Sequence, residues 1–423
     1  MHNSGKKEGA IGPCPKAPTV LYRRKRNTMV TERFTQILLK AFPSSAALHK
    51  SYNRSRFLYH RGYYMPSERV AQAEADLQSR RALLSEYTEK WKTLTERTNQ
   101  EIDEILARAP QYRERGHDAA LREDMMFCRF AYGFKPDEYL AYCLEQKNPP
   151  ERKAYVSSRD LLCMIYQVND RMDYRVYNDK AKTYERFAPY YHREAVSISR
   201  EEDYEGFLDY IHRHPVFVKK KVSEAMGRSV ELIDSANCGK TERELFSGLI
   251  AQGKCLLEER VIQSAAFAAL NQSSVNTVRC ITYYTRHGVE VPYCFIKIGR
   301  KGSFVDNGGA GGILVGIDSH SGKFNTDGFD EFITRYEKHP DSGIHFQGYQ
   351  LPDIPQLIEL SKQLSAMTPS VKFVGWDFAH TDQGWVIIEG NGMSQLIGPQ
   401  IVWERPVKAE MERCLKDMDL LAE

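Results

Sequence analysis

No stretch of about 18 consecutive apolar residues occurs in the chain, so no membrane-spanning helix is predicted. No CxxC pair occurs either, and the nine cysteines are scattered and odd in number. That excludes the pattern of a disulfide scaffold and reads as reduced thiols, with a cytoplasmic location expected. The twelve histidines show no HxxxH or HExxH spacing, so a zinc site is not predicted. No GxSxG is present, which argues against a serine nucleophile on a strained turn. The net charge of +3 is too small to argue for nucleic acid without a clustered patch. The opening segment "MHNSGKKEGAIGPCPKAPTVLYRRKRNTM" lacks an apolar signal core. Residues 1–30 are polar, basic and rich in Gly and Pro, and are expected to be a disordered tail. Within them "YRRKR" is the alternative anion-binding patch, and Met29 an alternative start.

What is present is ample material for folded cores: 423 residues, 42% hydrophobic and 11% aromatic, enough for two or three domains. Residues 31–150 read as a helical region. Within it "PSERVAQAEADLQSRRALLSEYTEKWKTLTERTNQEIDEILARA" repeats Val70, Leu77, Leu84, Trp91, Thr98 and Ile105 every seven residues, with Tyr87, Leu94 and Ile102 on the adjacent line. With Pro66 near its start and Pro110 ending it, this predicts a long helix over 66–109. Its seam packs against the chain's own helices or, in the alternative, forms a homodimer coiled coil. Residues 151–255 begin as helix and turn to strands ("PVFVKKKV", "SVELIDS"), and 256–423 mix strands and helices, so the predicted class is α+β in separate subdomains.

The chemistry gathers in the later part. "FVGWDFA" and "GWVIIEGN" flank "HTDQ" and predict a hairpin turning at Asp382-Gln383-Gly384. Asp377 stands about as far before the turn as Glu389 and Asn391 stand after it, and the latter two share one strand face. Two carboxylates at one buried point repel unless a cation joins them, and hard oxygen donors suit Mg²⁺; the alternative is a structural polar cluster. Lys219 ends the strand "PVFVKK" before a turn containing Gly227 and is placed to meet phosphates. Lys220 or Lys221 takes that role if the strand phase shifts by a residue. Glu258 or Glu259, ending "LLEE", is a partner for an adenine amino group, with backbone near Val261 completing the contact. Asn276 and Arg279 interrupt an apolar strand; an interior Arg is costly unless paired or functional, and its guanidinium suits a transferring phosphoryl group. "VDNGGAGGI" permits close backbone approach to a ligand.

These segments, with "YNDKAKTYERF", "HPVFVKK", "LLEERVI", "SSVNTVR" and the D…ExN hairpin in this order, resemble the ATP-grasp superfamily, and within it the sugar-transfer-associated ATP-grasp family. The resemblance runs from about residue 125 to 405 and leaves 1–120 unexplained. It implies an ATP-grasp fold, two α+β subdomains holding ATP between them, and a Mg²⁺-dependent ligase joining a small-molecule carboxylate to an amine through an acyl-phosphate, in natural-product or cell-surface polysaccharide biosynthesis. By the same resemblance Lys180 and Lys219 hold phosphates, Glu258, Glu259 and Val261 line the adenine hinge, and Asp377, Glu389 and Asn391 carry the metal. Arg279 meets the reacting phosphate, while Asn276, Asn307, Gly311 and Gly312 face the acceptor. The chain departs from the family in having Lys219-Lys220 where Lys-Pro is usual, and a single glycine in "SEAMGRS". A kinase on the same fold and a non-catalytic nucleotide-binding scaffold are the alternative functions. Neither nucleic acid nor membrane is an expected partner.

Overall fold

The computed structural model describes residues 35–42, 44–109, 112, 118–222, 230–300, 302–303, 306, 311–332 and 334–418. The basic tail, Gly227 and Asn307 lie outside them.

The expected helix over 66–109 is three helices, Ser67–Ala75, Leu77–Lys90 and Lys92–Arg108. The first break falls at Asp76, whose extended backbone (φ −137°, ψ 122°) lets its carboxylate accept the Ser79 N–H. An Asp so placed starts a new helix more readily than it continues an old one. The second break is at Trp91, which leaves helical geometry (φ −122°, ψ 48°) and packs its ring 4.4 Å from that of Tyr63. Of the heptad residues, Val70, Leu84 and Thr98 are buried, but Leu77 is 58% exposed. Val70 and Leu84 join Ile102, Leu106, Phe127, Phe130 and Phe134 in one core that reaches Phe329 and Ile401 of the later chain. The helical layer is therefore packed onto the rest of the molecule.

Two antiparallel sheets follow. The smaller contains β1 (Ala195–Ile198), β2 (Val216–Lys221), β3 (Val230–Asp234) and β4 (Cys255–Glu259) in the order β1-β4-β2-β3. Helices Tyr204–Arg213 and Glu242–Ile250 bury one of its faces through Phe207, Tyr210, Phe246 and Leu249 against Phe217 and Leu257. The expected subdomain boundary at 255/256 lies within β4, whose Leu256 and Leu257 are both buried.

The larger sheet contains β5 (Thr277–Thr285), β6 (Gly288–Ile298), β7 (Ile313–Ile317), β8 (Phe324–Phe329), β9 (Arg335–Tyr336), β10 (Phe373–Thr381) and β11 (Gly384–Asn391). Its order is β11-β10-β5-β6-β7-β8-β9. Side-chain alternation sends Val278, Cys280, Val374, Trp376 and Phe378 into the layer that includes Ile354 and Leu357 of the helix Ile354–Ala366. Ile281, Tyr283, Phe295 and Phe373 go to the opposite face, against Leu161 and Ile165 of the helix Ser158–Val168 and Met411 and Leu415 of Lys408–Lys416. Among the described residues no helix is long and apolar enough to cross a membrane.

Truncating Ile102 to Ala in the helical core should cost about 2–5 kcal/mol in urea unfolding, whereas Leu77→Ala should change stability by no more than about 0.5 kcal/mol. Comparable losses for the two would mean that the seam is not buried as described.

Candidate active site

Alternation on the larger sheet places a polar row where its second face runs out of helical cover. Arg279 on β5 has the parity of Ile281 and Tyr283, and Asp377 on β10 that of Phe373. Register carries the row further: Asp377 stands opposite Arg279 on one side and Glu389 on the other, and Asn391 stands opposite Gly375. Residues directly opposite in an antiparallel pair share a face. Asp377, Glu389 and Asn391 thus gather on one face of the hairpin, with a register shift after Asp377.

Asp377 is buried and held by two cations. Arg279 donates through Nε at 2.7 Å to Oδ1 and through Nη2 to Oδ2, and Lys297 Nζ lies 3.1 Å from Oδ2. Burial alone would raise its pKa, but the Arg279 and Lys297 charges outweigh that and hold it below the ordinary carboxylate value. Asp306 lies close by and accepts from the Thr277 N–H (2.9 Å) and hydroxyl; burial raises its pKa against the pull of Lys297. Glu389 is partly exposed and lies 3.6 Å from Lys180 Nζ, on the first residue of the helix Lys180–Phe187. Asn391 Nδ2 is buried without a hydrogen-bond partner among the described residues.

The smaller sheet presents a second charged group. β2 and β4 put Phe217 and Leu257 under the helices, so Lys220 and Glu258 project from the other face. Glu258 receives Lys220 Nζ at 2.9 Å and Arg193 Nε and Nη2 at 3.0 and 2.6 Å. Burial would raise the Glu258 pKa, yet Lys220 and Arg193 bring it down to about 2. Burial and the Arg193 charge lower that of Lys220 against the pull of Glu258. Arg193 Nη1 also donates to the Ile387 carbonyl of β11 at 2.6 Å, so one guanidinium ties the two sheets together.

Three expectations need correction. Lys219 shares the parity of Phe217, lies fully buried on the helix side and bonds Glu231 (2.8 Å) and Gln252 (2.5 Å); the lysine that faces Glu258 is Lys220, one strand position on. Asn276 has its amide saturated: Nδ2 donates to Gln263 Oε1 and to the Phe267 and Asn271 carbonyls, and Oδ1 accepts the Gly299 N–H. It supports a loop and offers nothing to an acceptor. Glu258 and Glu259 are not equivalent hinge candidates, since Glu259 turns to the Glu194 N–H at 3.3 Å while Glu258 is locked in its ion pairs. Val261 follows β4, half-buried. Gly311 has φ +81° and open space where a Cβ would be, and Gly312 beside it is buried.

The sequence reading passed over Lys297, Asp306 and Arg193. Lys297 carries the signal that singled out Arg279, a cation inside the apolar run "YCFIKIG". Arg193 has no such mark, because its role depends on a contact with residue 387.

Two antiparallel sheets, each presenting charged residues toward the other, with a D…ExN hairpin at the edge of the larger, define the ATP-grasp class. A family model for sugar-transfer associated ATP-grasp proteins matches residues 163–415, and the chain belongs to that family. No curated protein matches it. Among solved structures, a D-alanine-D-alanine ligase from Coxiella burnetii is similar at 11% identity and TM-score 0.34, over 57% of each chain. D-alanyl-alanine synthetase A from Vibrio cholerae O1 biovar eltor is similar at 10% identity and TM-score 0.35, over 57% of this chain and 65% of that one. N5-carboxyaminoimidazole synthetase from Staphylococcus aureus complexed with ADP is similar at 12% identity and TM-score 0.33, over 58% and 53%. The chain thus spans 57% and 65% of the length of the two ligases, and at these TM-scores the likenesses carry no argument about its reaction.

Because the Glu258 pKa lies near 2 when folded, against 4.5 when free, its contribution to stability is fully present above pH 4.5 and lost as pH falls through 2. Glu258→Gln leaves two buried cations without their counter-charge and should cost about 3–5 kcal/mol at neutral pH. In urea unfolding followed across pH, the gap between wild type and variant should close on the acid side; a pH-independent gap would contradict the ion-pair account.

Proposed function

We propose that the chain is an ATP- and Mg²⁺-dependent ligase that joins a substrate carboxylate to an amine in the biosynthesis of a natural product or a cell-surface polysaccharide. The observation that carries this reading is the in-register row Arg279–Asp377–Glu389, with Lys180 within 3.6 Å of Glu389. In the proposed reaction the substrate carboxylate attacks the γ-phosphate of ATP, giving an acyl-phosphate and ADP, and the amine then displaces phosphate.

The donor set fits a divalent ion. Asp377 and Glu389 supply hard oxygens from paired positions, and Asn391 brings an amide with a buried, unpartnered end to the same hairpin. Among the described residues no cluster of three or more His, Cys, Asp or Glu side chains could hold a metal unaided. That suits Mg²⁺, which is commonly held by one or two carboxylates plus the substrate's phosphates. When bound, the ion would neutralise charge on the phosphates and draw the carboxylates and the nucleotide together. Asp377, Glu389 and Asn391 would hold it.

The remaining roles fall to cations. Arg279 and Lys297 fix Asp377 and would offer positive charge to the phosphate oxygens. Lys180 and Lys220 would bind the phosphates from the smaller subdomain's side; Lys220 takes the role expected of Lys219 because of its strand phase. Glu258 and the backbone around Val261 would border the base, and Asn307, Gly311 and Gly312 the acceptor. Positioning and charge compensation, with no protein nucleophile, would supply the catalysis.

A screen of acids and amines for phosphate release from ATP tests the reaction. A ligase should require both partners and should form a hydroxamate when hydroxylamine replaces the amine, whereas a phosphorylated product without free phosphate would point to a kinase and overturn the ligase reading. In the active pair's assay, Glu389→Gln should abolish turnover with the fold intact. Lys220→Met should lower kcat/KM by at least about 100-fold and Lys219→Met should act mainly on stability; the reverse order would refute the assignment of the phosphate lysine.

A further inference from the structure

The helical layer at the start of the family region holds a second charged group, built around two buried arginines. There the C-terminal end of the helix Asp118–Ala131 meets the N-terminus of Ser158–Val168. Gly133 (φ +85°) permits the contact: a Cβ on it would lie 2.7 Å from Arg159 Cβ, 2.8 Å from Tyr64 Oη and 2.9 Å from Ser157 Oγ. Two guanidinium groups are buried at this junction, Arg129 at 5% exposure and Arg159 at 4%. Arg129 Nε and Arg159 Nη1 are sealed from solvent and have no hydrogen-bond partner among the described residues. Arg159 lies over the rings of Tyr63 and Tyr64, at 5.3 and 5.0 Å, which compensates only part of its lost hydration.

None of the carboxylates around them is hydrogen-bonded to either guanidinium among the described residues. Asp160 accepts the Tyr64 hydroxyl at 2.6 Å and pairs with Lys408 at 2.9 Å. Glu138 accepts the Ser158 hydroxyl at 2.6 Å and the Lys135 N–H at 2.8 Å. Glu101 pairs with Arg97 through Oε1 at 3.3 Å, its Oε2 is buried with no partner among the described residues, and its charge, with those of Glu138 and Asp137, offsets part of the burial of Arg129. The excess of positive charge is felt locally: burial and the neighbouring Arg129 lower the Arg159 pKa to about 10. Burial together with Arg56, Arg159, Arg129 and Arg97 lowers that of His60 to about 3. Arginine is rarely buried so fully without a counter-charge. Arg159 is also the second residue of an 11-residue helix, whose amino end adds positive partial charge at the same spot.

We propose that Arg129 and Arg159 form an oxyanion site, distinct from the nucleotide cleft, that takes a phosphate or carboxylate group of a small molecule. The flat guanidinium fork matches two oxygens of either group. The site stands or falls independently of the ligase reading, because no residue in it belongs to the hairpin or to the Glu258 group.

Inorganic phosphate and acetate, each titrated into the full chain against sodium chloride at equal ionic strength, separate the two chemistries. Wild type should show saturable binding of one of them by calorimetry, with Kd of about 1 mM or tighter, and a matching rise in Tm. Arg129→Gln and Arg159→Gln should weaken that binding at least about tenfold while leaving Tm without anion at or above the wild-type value, since a buried unpaired charge has gone. Arg243→Gln, on the exposed face of Glu242–Ile250, should bind as wild type does. Absence of saturable binding of both anions to wild type would overturn the proposal. So would unchanged affinity in Arg129→Gln, or a fall in that variant's Tm without anion, which would show that Glu101 already serves as its partner. Should the Gln variants not fold, Arg159→Lys, which keeps the charge and loses the fork, must show the weakened binding.

Discussion

Asp377 is a carboxylate with almost no access to water, and such a group survives only where cations meet it. Arg279 arrives from the next strand in register, and Lys297 from the strand beyond. Three adjacent strands of the larger sheet are thereby committed to one charged point. The apolar ends of the same strands lie under the helices Ser158–Val168 and Lys408–Lys416, so a change in strand phase would bury the charges under helix or expose the core. The site's geometry and the sheet's register are one constraint.

The smaller sheet repeats the arrangement, a buried strand carboxylate held by two cations, one of them here from a loop. Glu258 is the buried anion, and Lys220 and Arg193 answer it. Arg193 precedes β1 and also reaches the Ile387 carbonyl, while Lys180 approaches Glu389. The smaller subdomain therefore lends two cations to β11 of the larger sheet. These contacts are few and directional, and the extensive apolar cores lie within the subdomains, which is the distribution expected where two bodies close on a ligand.

The hairpin was legible because its evidence is local: a two-residue period on both sides of a turn fixes which residues face one another. So was Arg279, a cation in an apolar run. Lys219 was misplaced because three lysines in a row erase the alternation that would reveal which one shares the face of Phe217, and only the helices over that face decide it. Asn276 carried the same polar-in-apolar signal as Arg279, yet its partners are Gln263, Phe267, Asn271 and Gly299, which lie outside the strands in segments no periodicity describes. The heptad over 66–109 was a true record of burial on one side, and Asp76 still broke the helix, because a capping carboxylate offers the backbone an alternative that a hydrophobic period does not register.

Every carboxylate in the cleft already has a cation near it: Asp377 has two, Glu258 has two and Glu389 has Lys180. A triphosphate entering alone would have to draw those cations away and leave buried carboxylates exposed to one another. If it enters with a divalent ion, the carboxylates keep a positive partner while the lysines and Arg279 turn to the phosphates. The exchange is then between ion pairs of similar strength, which makes metal and nucleotide mutually dependent ligands in this reading. The Arg129–Arg159 junction lacks that balance at Arg159, whose neighbouring charge is Arg129 and whose Nη1 has no partner among the described residues, and so the same electrostatic reasoning that asks for a cation and an anion together in the cleft asks for an anion alone in the helical layer.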